Sequence, residues 1–139
     1  MAKKTWAQKL NLAPEPHVSV LDKPFGGFLP GARLFIASPL KVKAYIEAIP
    51  PGETRSIVTM REEFARESRA AGTCPLTSSI FARIVAEAAL DEMRAGRGIS
   101  EITPFWRLID PKSPIAKKLT CDTEFIEHRR ALEVARPYP

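Results

Sequence analysis

Two cysteines, Cys74 and Cys121, and two histidines, His17 and His128, are the only thiol and imidazole groups among the 139 residues. No pair has the Cys-x2-Cys type of spacing that a structural zinc site needs, so neither a metal nor any other cofactor is expected. A thiol can act as a nucleophile only as the thiolate, which requires a neighbouring base, a cation or a helix N-terminus. Neither cysteine has a histidine beside it in sequence. Cys74 precedes a long helical pattern and is the one thiol that a helix N-terminus would activate. The commoner role of such a residue is that of a small buried hydrophobe. Catalysis by a free cysteine is therefore the weakest of the chemical readings.

Charge points elsewhere. The formal net charge is +5, and it is uneven: residues 1–43 carry seven Lys/Arg against two acids, 44–103 seven against nine, and 104–139 seven against five. Basic ends around a mildly acidic middle favour a polyanionic partner, although solvated Lys and Arg also simply keep a domain in solution. The length fits one domain, and the 45% apolar content suits a packed core. No apolar run approaches the roughly 20 residues of a membrane-spanning helix. No apolar stretch backs the N-terminal Lys3-Lys4, so a secretory signal is not expected and a cytoplasmic location is.

The elements that would position these groups fall into two parts. Residues 1–37 read as an irregular N-terminal extension punctuated by Pro14, Pro16, Pro24, Pro30, Gly26–Gly27 and Gly31, with short extended pieces near His17–Leu21 and Arg33–Ala37. Residues 38–135 read as one helical domain. Ser38 caps a helix with Pro39 at its first position, and Pro50-Pro51-Gly52 ends it. Arg55–Val58 reads as extended, and Thr59 with Glu62 as a capping box opening a helix to about Ala71. A third helix starts near Thr77 and ends before Gly96, its apolar stripe being Ile80, Phe81, Ile84, Val85, Ala88 and Met93, with Arg83, Glu87, Asp91 and Arg94 off the stripe. Ile102–Ile109 alternates loosely and reads as a strand, followed by a turn or wing tip at Asp110–Pro114 and a last helix capped by Asp122 or Thr123. The expected fold class is mainly α (α+β): a winged helix-turn-helix-like domain of the kind that lays a helix in a DNA groove.

Three segments carry a family resemblance: Ile49-Pro50-Pro51-Gly52-Glu53, the run Cys74-Pro75-Leu76-Thr77-Ser78-Ser79-Ile80-Phe81-Ala82-Arg83, and Ile102-Thr103-Pro104-Phe105-Trp106-Arg107-Leu108-Ile109. In order and spacing, residues 38–109 resemble the C-terminal domain of O6-alkylguanine-DNA alkyltransferases and of the non-enzymatic alkyltransferase-like proteins. The last segment is similar to the family's Pro-Cys-His-Arg-Val signature. The resemblance implies a methyltransferase-family scaffold serving DNA repair, with double-stranded DNA, alkylated DNA included, as partner and a repair protein to receive the lesion.

The departures define the expected function. Phe105 stands at the position of the alkyl-accepting Cys and Trp106 at that of the His, so no catalytic residue remains. The nucleotide-rotating Tyr falls on Ile57, no Asn occurs after Asn11, and the segment after the signature has no glycine up to Leu119. Arg83 falls where the family's arginine enters the base stack, with i+4 pairing to Glu87 as its ordinary alternative. Thr77, Ser78, Ser79 and Arg107 complete the expected DNA contacts, and Phe105, Trp106 and Ile57 the expected pocket. An aromatic face stacks on a base for roughly 1–3 kcal/mol. Strand alternation would let at most one of Phe105 and Trp106 face that pocket; it puts Trp106 with Leu108 in the core and Phe105 or Arg107 nearer the cavity. Lys112, Lys117, Lys118 and His128-Arg129-Arg130 are further candidate phosphate contacts. The expected function is thus a non-enzymatic alkyltransferase-like DNA-binding protein. A winged-helix protein-interaction or regulatory module, and a methyltransferase using Cys74, are the alternatives.

Overall fold

The computed structural model describes residues 3–135; Arg136, counted in the basic C-terminal third, lies outside them. The chain runs α1 (Trp6–Asn11), β1 (His17–Val20), β2 (Arg33–Ile36), α2 (Pro39–Glu47), α3 (Ile57–Ser68), β3 (Gly72–Thr73), α4 (Pro75–Arg94), a 3-10 turn (Phe105–Arg107), α5 (Pro114–Lys118) and α6 (Thr123–Ala135). The molecule is mainly helical with one small sheet. Strand order is β1-β2-β3, with β1 antiparallel and β3 parallel to β2. No helix among the described residues is long and apolar enough to cross a membrane.

The lead-in, expected to be irregular, is part of the same core. Phe35 of β2 pairs with Thr73, its ring meets Phe64 of α3 at 5.8 Å between centroids, and α1 packs along α4. Proline and glycine spacing gives no hint of this, because the partner of β2 is a two-residue strand far along the chain.

Ser38 caps α2 as its sequence suggests, its Oγ accepting from the Lys41 N–H at 3.1 Å, and Pro39 opens the helix. The start of α3 differs from the expectation. Ser56 is the cap, accepting from the Thr59 N–H at 3.0 Å, so Ile57 and Val58 form the first helical turn rather than a strand. The stripe of α4 is also rotated. Ser78, Ala82, Val85, Ala86 and Ala89 face inward, whereas Ile80 is 47% exposed. Three alanines on the buried side leave room for α4 to approach α1, α2 and α3 closely, and from Ile84 to Leu90 the helix is enclosed on every side. Glu87, off the expected stripe, is inside it. Its Oε1 accepts from the Thr120 hydroxyl and N–H, which ties α4 to the approach to α6.

The expected strand at Ile102–Ile109 is a 3-10 turn. Phe105 N–H donates to the Thr103 carbonyl and Leu108 N–H to that of Phe105, so the backbone closes on itself instead of offering a ladder. The wing expected at Asp110–Pro114 is a turn capped by Asp110 and Ser113 that leads into α5. The only sheet among the described residues precedes and interleaves the helices. Asp122 accepts from the Phe125 N–H at 2.9 Å and so caps α6.

Candidate nucleic-acid interface

Helix α3 ends in a left-handed residue, Arg69 (φ 56°), and β3 then turns the chain into α4. The Thr73 hydroxyl donates to the Arg61 carbonyl at 2.7 Å, which pins the turn to the helix before it. Cys74 holds the N-cap position of α4 without a side-chain capping bond, and Pro75 follows at the position where a missing N–H costs nothing.

The first turns of α4 sort the expected contacts. Ser78 is fully buried and donates its hydroxyl to the Cys74 carbonyl at 2.7 Å, so it belongs to the helix interior and not to a DNA contact. The Thr77 hydroxyl oxygen is buried without a hydrogen-bond partner. Leu76, Ser79, Ile80 and Arg83 retain outward exposure. Arg83 lies 3.9 Å from the Glu87 carboxylate through Nε, long for an ion pair, and its guanidinium sits over the Trp6 ring at 5.4 Å. Lys9 reaches the same ring at 4.4 Å. Trp6, Lys9, Ile80, Arg83 and Ile84 enclose a hollow of about 280 Å³ between α1 and α4. No acid occurs before Glu15, while Lys3 and Lys4 stand exposed just ahead of α1. The α1–α4 face therefore combines a half-buried indole, four cations and two exposed apolar side chains. No local pattern in the sequence places Trp6 beside Arg83; the acid-free run before Glu15 is the signal that points to this face.

The signature-like segment is arranged for packing. Phe105 and Trp106 are both buried: Trp106 is in the core as expected, whereas Phe105, expected nearer the cavity, is fully enclosed. Phe105 stacks on Phe125 (6.0 Å, 16° between planes), and Trp106 meets both rings edge-on. With the backbone in a 3-10 turn, alternation no longer separates the two rings, and α6 closes over both. Trp106 reaches a surface cavity of about 500 Å³ shared with Arg107 and Arg129, and the Arg129 guanidinium covers its ring at 5.2 Å.

Arg107, expected to contact DNA, is instead committed internally. Its Nη2 and Nε donate to Glu133 at 2.7 and 3.1 Å and its Nη1 to the Ile49 carbonyl at 2.8 Å, with the pair only 13% and 9% exposed. Burial alone would raise the Glu133 carboxyl, but the hydrogen bonds and charge of Arg107 overturn that and hold it below its ordinary value. Arg130 donates to the Trp106 carbonyl at 2.6 Å, and burial pushes its guanidinium down. Of the other candidate phosphate contacts, Lys112, Lys117, Lys118 and His128 are exposed. Ile57 lines a separate cavity of about 250 Å³ with Arg55, Leu108, Asp110 and Arg130; it is not joined there by Phe105 or Trp106.

Neither thiol is freely exposed. Cys74 is buried, and burial raises the Cys121 thiol, which keeps it protonated. No cluster of three or more His, Cys, Asp or Glu that would hold a metal occurs among the described residues. No protein-family model, curated protein or solved structure matches the chain.

Proposed function

We propose that the chain is a non-enzymatic DNA-binding domain of the helix-turn-helix kind, using the scaffold that its sequence shares in outline with the alkyltransferase C-terminal domains. The observation that carries this reading is the α1–α4 face, where Arg83 and Lys9 converge on Trp6 beside an acid-free lysine-bearing flank. Lysines there neutralise phosphates with release of counterions. Leu76 and Ile80 offer apolar contact to thymine methyl groups, and Ser79 a hydroxyl for a base edge or phosphate.

Arg83 takes the role of the intercalating cation. To leave Trp6 it gives up a partly exposed cation–π contact of about 0.5–1 kcal/mol, a cost that a phosphate or a base face offsets. Because α1 lies against α4, the two helices meet the duplex together, with α1 as a basic arm along the backbone. Damage recognition and delivery to a repair protein extend this reading through the family resemblance. The enclosed Phe105 and Trp106, with neither thiol positioned as a nucleophile, support binding without alkyl transfer.

Fluorescence anisotropy of a labelled duplex, with and without one O6-methylguanine, tests the reading across a salt series. Affinity should fall as salt rises, Arg83→Ala should weaken binding several-fold, and Lys9→Ala should lower the salt slope by about one. A protein that shows no binding at low salt, or whose binding ignores Arg83, sinks the DNA reading in favour of a protein-interaction module.

A further inference from the structure

On the other side of the α3–α4 turn lies a cleft of about 570 Å³, walled by α3, floored by β3 and closed by Phe28 from the β1–β2 loop. Three guanidinium groups line it, from Arg61, Arg66 and Arg69, against one carboxylate, Glu62. None of the three arginines has an ion-pair partner among the described residues, whereas Lys41, Lys43, Arg55, Arg94 and Arg107 each have one.

Arg61 makes the cleft more than a charged surface. Its Nε is buried without a hydrogen-bond partner. Arg83 and Arg129 share that condition, but each lies over an indole ring that accepts its charge. No aromatic ring or carboxylate does so for Arg61 among the described residues. The Nε itself is closed to solvent and ligand alike, so what Arg61 brings to the cleft is a partly buried guanidinium charge that nothing among the described residues answers.

Two backbone features shape the same cleft. Arg69 holds the left-handed C-cap position, where glycine is strain-free and an arginine is not; retaining a long cation there aims its charge at the cavity mouth. Gly72 is the floor, and a Cβ on it would lie 2.3 Å from Phe28 Cζ. The glycine is what allows the Phe28 ring to press down as the apolar wall facing Val58 and Ala65.

We infer that this cleft binds a small organic anion: a phosphomonoester head on the arginines, with a flat apolar body against Phe28. A guanidinium fork matches phosphate oxygens in pairs, and the ring supplies a stacking face. The volume suits a ligand of a few hundred Å³, the ordinary range for small-molecule sites. Aromatic phosphates and mononucleotides share this chemistry, and separate probes distinguish them. The inference stands apart from the α1–α4 interface, which uses none of these residues.

Titration of the full-length chain with phenyl phosphate, adenosine 5′-monophosphate and inorganic phosphate, read by calorimetry and amide chemical shifts, tests it. Saturable binding is expected for at least one of the two organic phosphates, with inorganic phosphate about tenfold weaker or more. Arg61→Gln and Arg66→Gln should each weaken the organic phosphate about tenfold, at unchanged melting temperature for the exposed Arg66 variant, while Arg83→Ala leaves it alone. Phe28→Leu should erase the preference over inorganic phosphate. Absence of saturable binding by all three probes up to about 10 mM overturns the site, as does binding indifferent to Arg66. If duplex DNA affinity instead falls with Arg66→Gln as far as with Arg83→Ala, and no small phosphate binds, the arginines are phosphate contacts of a DNA complex and the small-ligand site is refuted.

Discussion

Removing the Glu133 carboxylate should be among the most damaging single changes in the chain, although the residue lies near its end. Arg107 is held on three sides: Glu133 of α6 by two short hydrogen bonds, the Ile49 carbonyl at 2.8 Å, and Arg55, whose N–H donates to the Arg107 carbonyl at 2.8 Å. Arg107 thereby joins three parts of the fold, its guanidinium linking α6 to the end of α2 and its carbonyl holding the approach to α3. In Glu133→Ala, Arg107 stays largely out of water with one carbonyl left to it. Breaking one partner of such a pair costs about 3–5 kcal/mol, and the surviving Ile49 contact argues for the lower end. At roughly 3–4 °C per kcal/mol for a chain of this size, the melting temperature should drop by about 10 °C. Glu133→Gln keeps the shape and one acceptor and should cost about 1–2 kcal/mol. The pH dependence carries a sign. Glu133 sits below its ordinary value of 4.5 in the folded state, so its contribution is complete above that value and is lost as pH falls through the lower native one. Urea melts at pH 7 and near pH 3 should therefore show the gap between the parent and Glu133→Gln narrowing in acid. Glu133→Ala within about 0.5 kcal/mol of the parent, or a gap that widens in acid, would refute the clamp.

Three further outcomes follow from the packing. Gly72→Ala must displace the Phe28 ring and should cost about 1–3 kcal/mol in a chemical melt, with Phe28→Ala in the same chain restoring most of it; full stability in the single variant would contradict the contact. Trp106→Ala should cost about 3–5 kcal/mol, while the DNA-responsive part of the tryptophan emission disappears with Trp6→Phe; a response that survives this change would place the signal on Trp106 and reverse the assignment. Incubation with excess O6-methylguanine duplex should leave the protein mass unchanged, and one added methyl on Cys74 or Cys121 would overturn the non-enzymatic reading.

Local signals in the sequence placed much of this structure. Ser38-Pro39 marks the start of α2, Gly96 follows the end of α4 (which opens at Pro75, two residues before the expected Thr77), and the extended pieces near His17 and Arg33 are β1 and β2. What these signals lack is any statement of partners. Gly72–Thr73 has no periodicity, so nothing announced that the sheet would be built across α2 and α3. Hydrophobicity alone misorients the face of α4, because size decides which side packs. Ile80 outranks Ala82 on any apolar scale, yet only the alanine fits where helices nearly touch. Ile102–Ile109 alternates loosely, but Phe105, Trp106, Leu108 and Ile109 are all buried, and a segment buried all round carries no period to read. The arginine cleft was illegible for another reason. Arg61, Arg66 and Arg69 are interleaved with Glu62, Glu63 and Glu67, so α3 reads as a mixed solvated helix until its fold separates the charges.

The burial of Phe105 and Trp106 also bears on what chemistry their segment can host. A nucleophilic thiol needs a path for its substrate, a base and a polar surrounding that stabilises the thiolate. Here two aromatic rings fill the space: Phe105 stacks on Phe125, Trp106 meets Phe125 edge-on under the Arg129 guanidinium, and Arg130 holds the Trp106 carbonyl. A Phe105→Cys thiol would thus be a poor nucleophile, because it would enter an apolar interior that raises its pKa. The cations of the segment follow the same logic, Arg107 turning inward to Glu133 and Arg130 to a carbonyl. On the readings proposed above, recognition falls to side chains that the core does not consume: Arg83 with Lys9 of α1 and the preceding Lys3 and Lys4 on one side of the α3–α4 turn, and Arg61, Arg66 and Arg69 on the other.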